Sequence, residues 1–239
     1  MTEPPARPAR PRVVAIDGPS GTGKSSVARA VAGRLGYHYL DTGAMYRALT
    51  WWCLQKGIDL ADTAAVAGAA RRLPIQLGLA SQPVTVAVEG RDVEPLLRTS
   101  AISQVVSQVA TNLDARAELI RRQQQIIAEH AERGIVAEGR DITTVVAPDA
   151  PARILLVADE AARLSRRARQ LHGTTDAQVL DRTRDEVVRR DVEDSAVAEF
   201  FTAAPGVVVV DSSRLSLVET IGRVLEVVQA ALPAVEQHR

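Results

Sequence analysis

Apolar positions in this chain gather into five short, unalternating runs, and each gives way to a stretch with helical spacing. Val13–Ile16 is the first run, ending at Asp17 and a cluster of Gly, Pro and Ser. A helix is expected over Lys24–Leu35, with Val27, Ala30, Val31 and Leu35 on one face and Gly36 as its stop. Tyr37–Leu40, Ile135–Ala137, Arg153–Val157 and Val207–Val210 read as the other four strands. Between the second and third, helices are expected over Ala44–Lys56, Asp62–Leu73 (Asp62 as N-cap), Ala101–Ala110 and Leu113–Arg133. After the fourth come Glu160–Leu171, a break at His172–Thr175 and Ala177–Arg190, and the last helix is Leu217–Leu232 behind Ser216.

Apolar strands without alternation are buried on both faces. Five of them interleaved with helices predict an α/β fold built on an open, mostly parallel sheet. Ile75–Leu79 and Val84–Val88 break the rhythm, flanking a turn-like Ala-Ser-Gln-Pro at 80–83, and read as a small antiparallel element inserted between βα units.

The glycines after the first strand carry the sharpest chemistry. Gly18-Pro19-Ser20-Gly21-Thr22-Gly23-Lys24-Ser25 fits G-x-x-x-x-G-K-[ST], and it joins a strand to a helix as that motif requires. Glycines let backbone N–H groups turn onto a phosphate, and the helix N-terminus adds its positive end. Lys24 is positioned for the β and γ phosphates, the Ser25 hydroxyl for Mg²⁺, and Ser26 continues the cradle. A nucleoside triphosphate with Mg²⁺ is the expected ligand.

Two further segments follow core strands and so converge on the same rim, because ligands of such sheets sit beyond the strands' carboxyl ends. One is Asp41-Thr42-Gly43-Ala44-Met45-Tyr46-Arg47, where Arg47 can fork onto a second anion and Asp41 or Thr42 serves equally as helix cap or site residue. The other is Glu138-Gly139-Arg140-Asp141. A second Gly-Arg-Asp at 90–92 lies in the antiparallel insert and reads as a turn. Arg116, by its residue type alone, is an ordinary surface arginine.

Charges balance at 29 basic against 29 acidic, which argues against a broad nucleic-acid surface. Lysine occurs only at 24 and 56, which sets Lys24 apart among the arginines. One cysteine, Cys53, rules out an intrachain disulfide and suits a reducing compartment, so a cytoplasmic location is expected. No apolar run reaches 18 residues, so no membrane span is expected, and the Pro/Arg-rich residues 1–11 read as a disordered tail rather than a secretory signal.

Taken together, IDGPSGTGKS, LDTGAMYR, SQVATNLDAR, the Gly-Arg-Asp after IVAE, and VVAPDAPARILLVA resemble the bacterial cytidylate kinases, from Val13 to the last helix. The resemblance implies a five-stranded parallel sheet of order 2-3-1-4-5, within one kinase domain over 12–239. It also implies a monophosphate-binding insert at about 58–110 and a lid at about 165–192. The implied reaction is ATP-dependent phosphorylation of CMP and dCMP by a monomer.

By position, Thr42, Arg116 and Asp141 match the residues that read cytosine, Arg47 and Arg140 those that hold the acceptor phosphate, and Ser107 and Asp194 those that touch the sugar. Asp41 is counted with them through its turn. Lys24, Arg166, Arg167 and Arg190 match the cations around the transferring phosphate. One position departs: Val197 stands where the family carries an arginine on the acceptor phosphate, and Arg189 or Arg190 are the nearby candidates to replace it. Without the resemblance, kinases of adenylate or of a small hydroxyl acceptor stay open. A GTP switch lacks its N-K-x-D motif, since neither lysine stands in one.

Overall fold

The computed structural model describes residues 11–232, apart from the side chains of Gln170, Leu171, Glu186 and Arg190. The tail expected over 1–11 falls almost wholly outside the described residues. The chain runs β1 (Val13–Asp17), α1 (Lys24–Leu35), β2 (His38–Asp41), α2 (Thr42–Gln55), α3 (Thr63–Arg72), β3 (Ile75–Gly78), β4 (Thr85–Val88) and β5 (Arg91–Asp92). It continues with α4 (Ser100–Ala110), α5 (Leu113–His130), β6 (Ile135–Gly139), β7 (Ala152–Val157), α6 (Glu160–His172), α7 (Ala177–Ser195), β8 (Val208–Asp211) and α8 (Leu217–Ala231).

The main sheet is parallel throughout, in the order β2-β6-β1-β7-β8. Counting only its own five strands along the chain, that order is 2-3-1-4-5. Alternate residues of the central strands feed two cores. Val14, Ile16, Val136, Ile154 and Leu156 pack under α1 and α8, while Val13, Ala15, Ile135 and Ala137 pack against α2, α4 and α5. Both faces are covered, which is why these strands are apolar through their middles and carry charged residues only near their ends.

Register decides where the chemistry lies. Asp17 at the end of β1 pairs opposite Gly139 of β6, and Asp41 at the end of β2 pairs opposite Glu138. The three loops leaving these strands therefore start level with one another on one edge of the sheet.

The second sheet, β3-β4-β5, is antiparallel, as the change of pattern anticipates. Its third strand departs from expectation. Glu89 and Gly90 both take positive φ (51° and 75°), the geometry that reverses a tight hairpin, and Arg91–Asp92 return to pair with β4. The second Gly-Arg-Asp is thus a turn followed by a short strand.

Two other boundaries differ. Helix α7 runs to Ser195 instead of stopping at Arg190, since no Gly or Pro interrupts Asp191–Ser195. Residues Ile142–Val146 form a single π-turn, held because Asp17 accepts from the N–H groups of Ile142 and Thr143 at 2.8 Å each and from Thr143 Oγ1 at 2.6 Å. Burial pushes the Asp17 carboxyl above its usual range despite these bonds.

Candidate active site

The phosphate loop is shaped by its glycines. Gly18 and Gly21 have φ of 152° and 81°. A Cβ on Gly18 would collide with the Leu156 carbonyl, and one on Gly21 would lie 2.6 Å from the Arg163 carbonyl. Gly23, at φ 92°, stands at the N-cap of α1, so the first turn of that helix opens toward the loop. Lys24 Nζ donates to the Pro19 carbonyl at 3.0 Å, which folds the side chain back over the loop.

The neighbouring strand ends supply the rest of the floor. Ser25 Oγ donates to Glu138 Oε1 at 2.6 Å, and Tyr39 OH donates to the same oxygen at 3.1 Å. Burial, then the Glu138 carboxylate, raises the Tyr39 hydroxyl well above its usual value and keeps it a donor. Thr42 Oγ1 donates to the Glu138 carbonyl at 2.8 Å, tying the first turn of α2 to β6.

Asp41 caps α2 and also pairs with two arginines. Its Oδ1 caps α2 by accepting from Ala44 N at 2.8 Å, and its Oδ2 accepts from Arg47 at 2.9 Å and Arg98 at 2.7 Å. Burial opposes its ionisation, but the two guanidinium groups outweigh that and hold the carboxyl below the usual range.

Arg116, on α5, is buried rather than exposed and pairs with Asp141. Burial nonetheless raises the Asp141 carboxyl, with Arg116 pulling the other way. Arg140 donates to the Gly18 carbonyl at 2.9 Å and to Asp194 at 3.2 Å, reaches Asp191 at 3.4 Å and lies 4.8 Å over the Phe200 ring. It therefore bridges the phosphate loop to α7.

Helices α6 and α7 grip the loop from above. Asp191 Oδ1 accepts from Ser20 N at 3.0 Å, and Arg163 joins Asp191 to the Ser20 carbonyl. Arg166 donates to the carbonyls of Thr22 and Ser212, at 3.3 and 2.6 Å.

Most of these groups line one cavity of about 720 Å³, a size suited to small ligands, while Gly18, Tyr39, Arg163, Asp191 and Ser212 stand off its wall. It runs from the phosphate loop, past the Asp41–Gly43 turn and Glu138–Asp141, to Arg116 on one side and to Arg166, Arg167 and Leu215–Leu217 on the other. Asp194 and Val197 line it as well.

Some expected residues stand elsewhere. Ser107 is buried on α4 but off the wall, where that helix presents Ser103, Val106 and Ala110. Arg189 is exposed and also off the wall. The Arg190 side chain lies outside the described residues.

Glu138 is legible in the sequence as a strand-end carboxylate directly ahead of the Gly-Arg-Asp. Arg163 and Arg98 carry no sequence signal, because only folding brings them to the site.

Residues 14–230 match the cytidylate kinase family along nearly the whole described chain. The chain belongs to the cytidylate kinase family. It is 46% identical to a cytidylate kinase of Rhodococcus jostii, covering 90% of this chain and 94% of that one. It is 44% identical to one of Cutibacterium acnes (93% and 98% covered) and 42% identical to one of Streptomyces avermitilis (91% and 92% covered). Among solved structures, a gluconokinase from Sinorhizobium meliloti 1021 overlaps with a TM-score of 0.48 at 15% identity, over 92% of this chain and 93% of that one, too distant a likeness to argue from. The family's reaction is phosphorylation of CMP and dCMP.

Proposed function

We propose that this kinase takes ATP with Mg²⁺ on the Gly18–Ser26 loop and CMP or dCMP between Arg47, Arg116, Arg140 and Asp141. In this reading residues 12–239 form one kinase domain, 58–110 its acceptor-binding insert and 165–192 its lid. The observation that carries it is a single cavity bordered both by the phosphate loop and by the Arg116–Asp141 pair. Donor and acceptor can then meet inside one space, as in-line transfer requires.

The Ser25 hydroxyl and Glu138 carboxylate form an oxygen pair suited to Mg²⁺, which takes few protein ligands and completes its shell with phosphates and water. Bound there, Mg²⁺ supplies neutralisation of the triphosphate's bridging charge. The acceptor phosphate has a second pKa of about 6, so at neutral pH it is already a nucleophilic anion and needs no general base. The chain's task is to hold two polyanions in line.

Lys24, Arg166, Arg167 and Arg190 act on the donor, Arg47 and Arg140 on the acceptor, and Asp194 on the sugar. Asp141 accepts from the cytosine N4 amino group, and Arg116 donates to its acceptor edge. Uracil reverses donor and acceptor there, leaving buried polar groups unpaired. Thr42 supports the base from the first turn of α2. No helix among the described residues is long and apolar enough to cross a membrane, and the single cysteine is buried. We take a cytoplasmic monomer without nucleic-acid or membrane partners as the working form.

A coupled assay of ADP formation with CMP, dCMP, UMP and AMP in parallel tests this. CMP and dCMP are expected to lead, and equal rates with AMP would overturn the base assignment.

A further inference from the structure

We propose that Arg98 is a ligand of the acceptor phosphate, transferred to it from Asp41 when the monophosphate enters; the inference rests on the function proposed above. Asp41 Oδ2 is shared by two guanidinium groups, Arg47 at 2.9 Å and Arg98 at 2.7 Å. Releasing one of them leaves the buried carboxylate still paired with the other, so a swing of Arg98 toward an oxyanion does not strand a charge.

The two arginines differ in freedom. The Arg47 side chain is 9% exposed and that of Arg98 33%. Arg98 follows the short turn Glu94–Leu96 that leads into α4; of its other carboxylate neighbours, Glu94 comes only to 4.0 Å and Glu138 attracts it without a direct ion pair. Arg98 lines the active-site cavity, as do Arg47 and Asp41. The Arg47 Nε is buried without a hydrogen-bond partner, a donor that an oxyanion at this corner would satisfy. Arg140, by contrast, is held by Asp194, Asp191 and the Gly18 carbonyl and stacked on Phe200, which fixes it in place. Val197, just past the end of α7, lines the cavity without a charge. Arg98 and Arg47 together form the phosphate fork at the end of β2.

The test is steady-state kinetics of Arg98→Gln and Arg98→Lys at neutral pH, with thermal unfolding of each. Arg98→Gln is expected to raise KM for CMP about 30-fold, the loss of one charge-assisted bond, with KM for ATP and the unfolding midpoint unchanged. Arg98→Lys is expected to recover most of that loss. An unchanged KM for CMP overturns the proposal. So does a parallel loss for both substrates with a lower midpoint, which would make Arg98 a strut between the insert and β2. If the wild-type protein itself turns over neither CMP nor dCMP, the functional reading fails and takes this proposal with it.

Discussion

The Ser25 hydroxyl and the Glu138 carboxylate meet at 2.6 Å across the gap between the first turn of α1 and the end of β6. One comes from the phosphate loop and the other from the strand beside it, and together they offer a hard cation two oxygens. Glu138→Gln keeps the shape and the hydrogen bond from Ser25 but removes the charge. It is expected to raise the Mg²⁺ concentration for half-maximal rate at least about tenfold, with partial recovery at high Mg²⁺. A magnesium titration identical to that of the wild type removes Glu138 from the metal site.

Lys24 contributes charge at the transferring phosphate rather than packing. The side chain is only half-buried and its Nζ donates to the Pro19 carbonyl of its own loop, so truncation leaves no core void. Lys24→Ala is expected to lower kcat by about 10²–10³ with little change in unfolding midpoint. Wild-type turnover in that variant would sink the donor assignment.

Asp141 carries the base discrimination, and its environment gives the pH dependence a sign. Burial raises its carboxyl above the ordinary value, against the pull of Arg116. As pH falls, Asp141 therefore takes up a proton before ordinary carboxylates do, and stops being a pure acceptor for the cytosine amino group. The preference for CMP over UMP is expected to fall on the acid side. Asp141→Ala is expected to lower the ratio of their kcat/KM values by about tenfold or more and to abolish its acid limb. A ratio unchanged in the variant across the pH range means that another group reads the base.

Gly18 and Gly23 separate steric from conformational need. Both take positive φ, but only Gly18 has a backbone carbonyl, that of Leu156, in the way of a Cβ; Gly23 has nothing within 4 Å. Gly23→Ala is expected to cost about 1–2 kcal/mol of stability, the strain of a left-handed alanine. Gly18→Ala should cost clearly more, because β7 or the loop must move. Chemical denaturation of the two variants checks the order, and equal losses would contradict it.

Most of the architecture could be read along the chain. The strands β1, β6 and β7 are apolar through their middles because helices cover both their faces, with Asp17, Glu138 and Arg153 only near the ends, and the glycine cluster between β1 and α1 has a local backbone reason for each of its turns. Harder to read were features with no local signal. The docking of α7 on the phosphate loop depends on its carboxylates finding Ser20, Arg163 and Arg140, and the π-turn at Ile142–Val146 depends on Asp17, which lies 125 residues away along the chain.

The amino-acid order by itself determined the α/β class, the phosphate loop and the family, since these rest on periodicity and on contiguous residues. Only the tertiary structure decided that Arg116 is buried against Asp141, that Glu138 faces Ser25, and that Arg98 shares Asp41 with Arg47. Those are pairings between distant segments, set by strand register and helix packing. Side-chain partners across a sheet edge are fixed by which strands lie side by side, and that is a property of the folded chain.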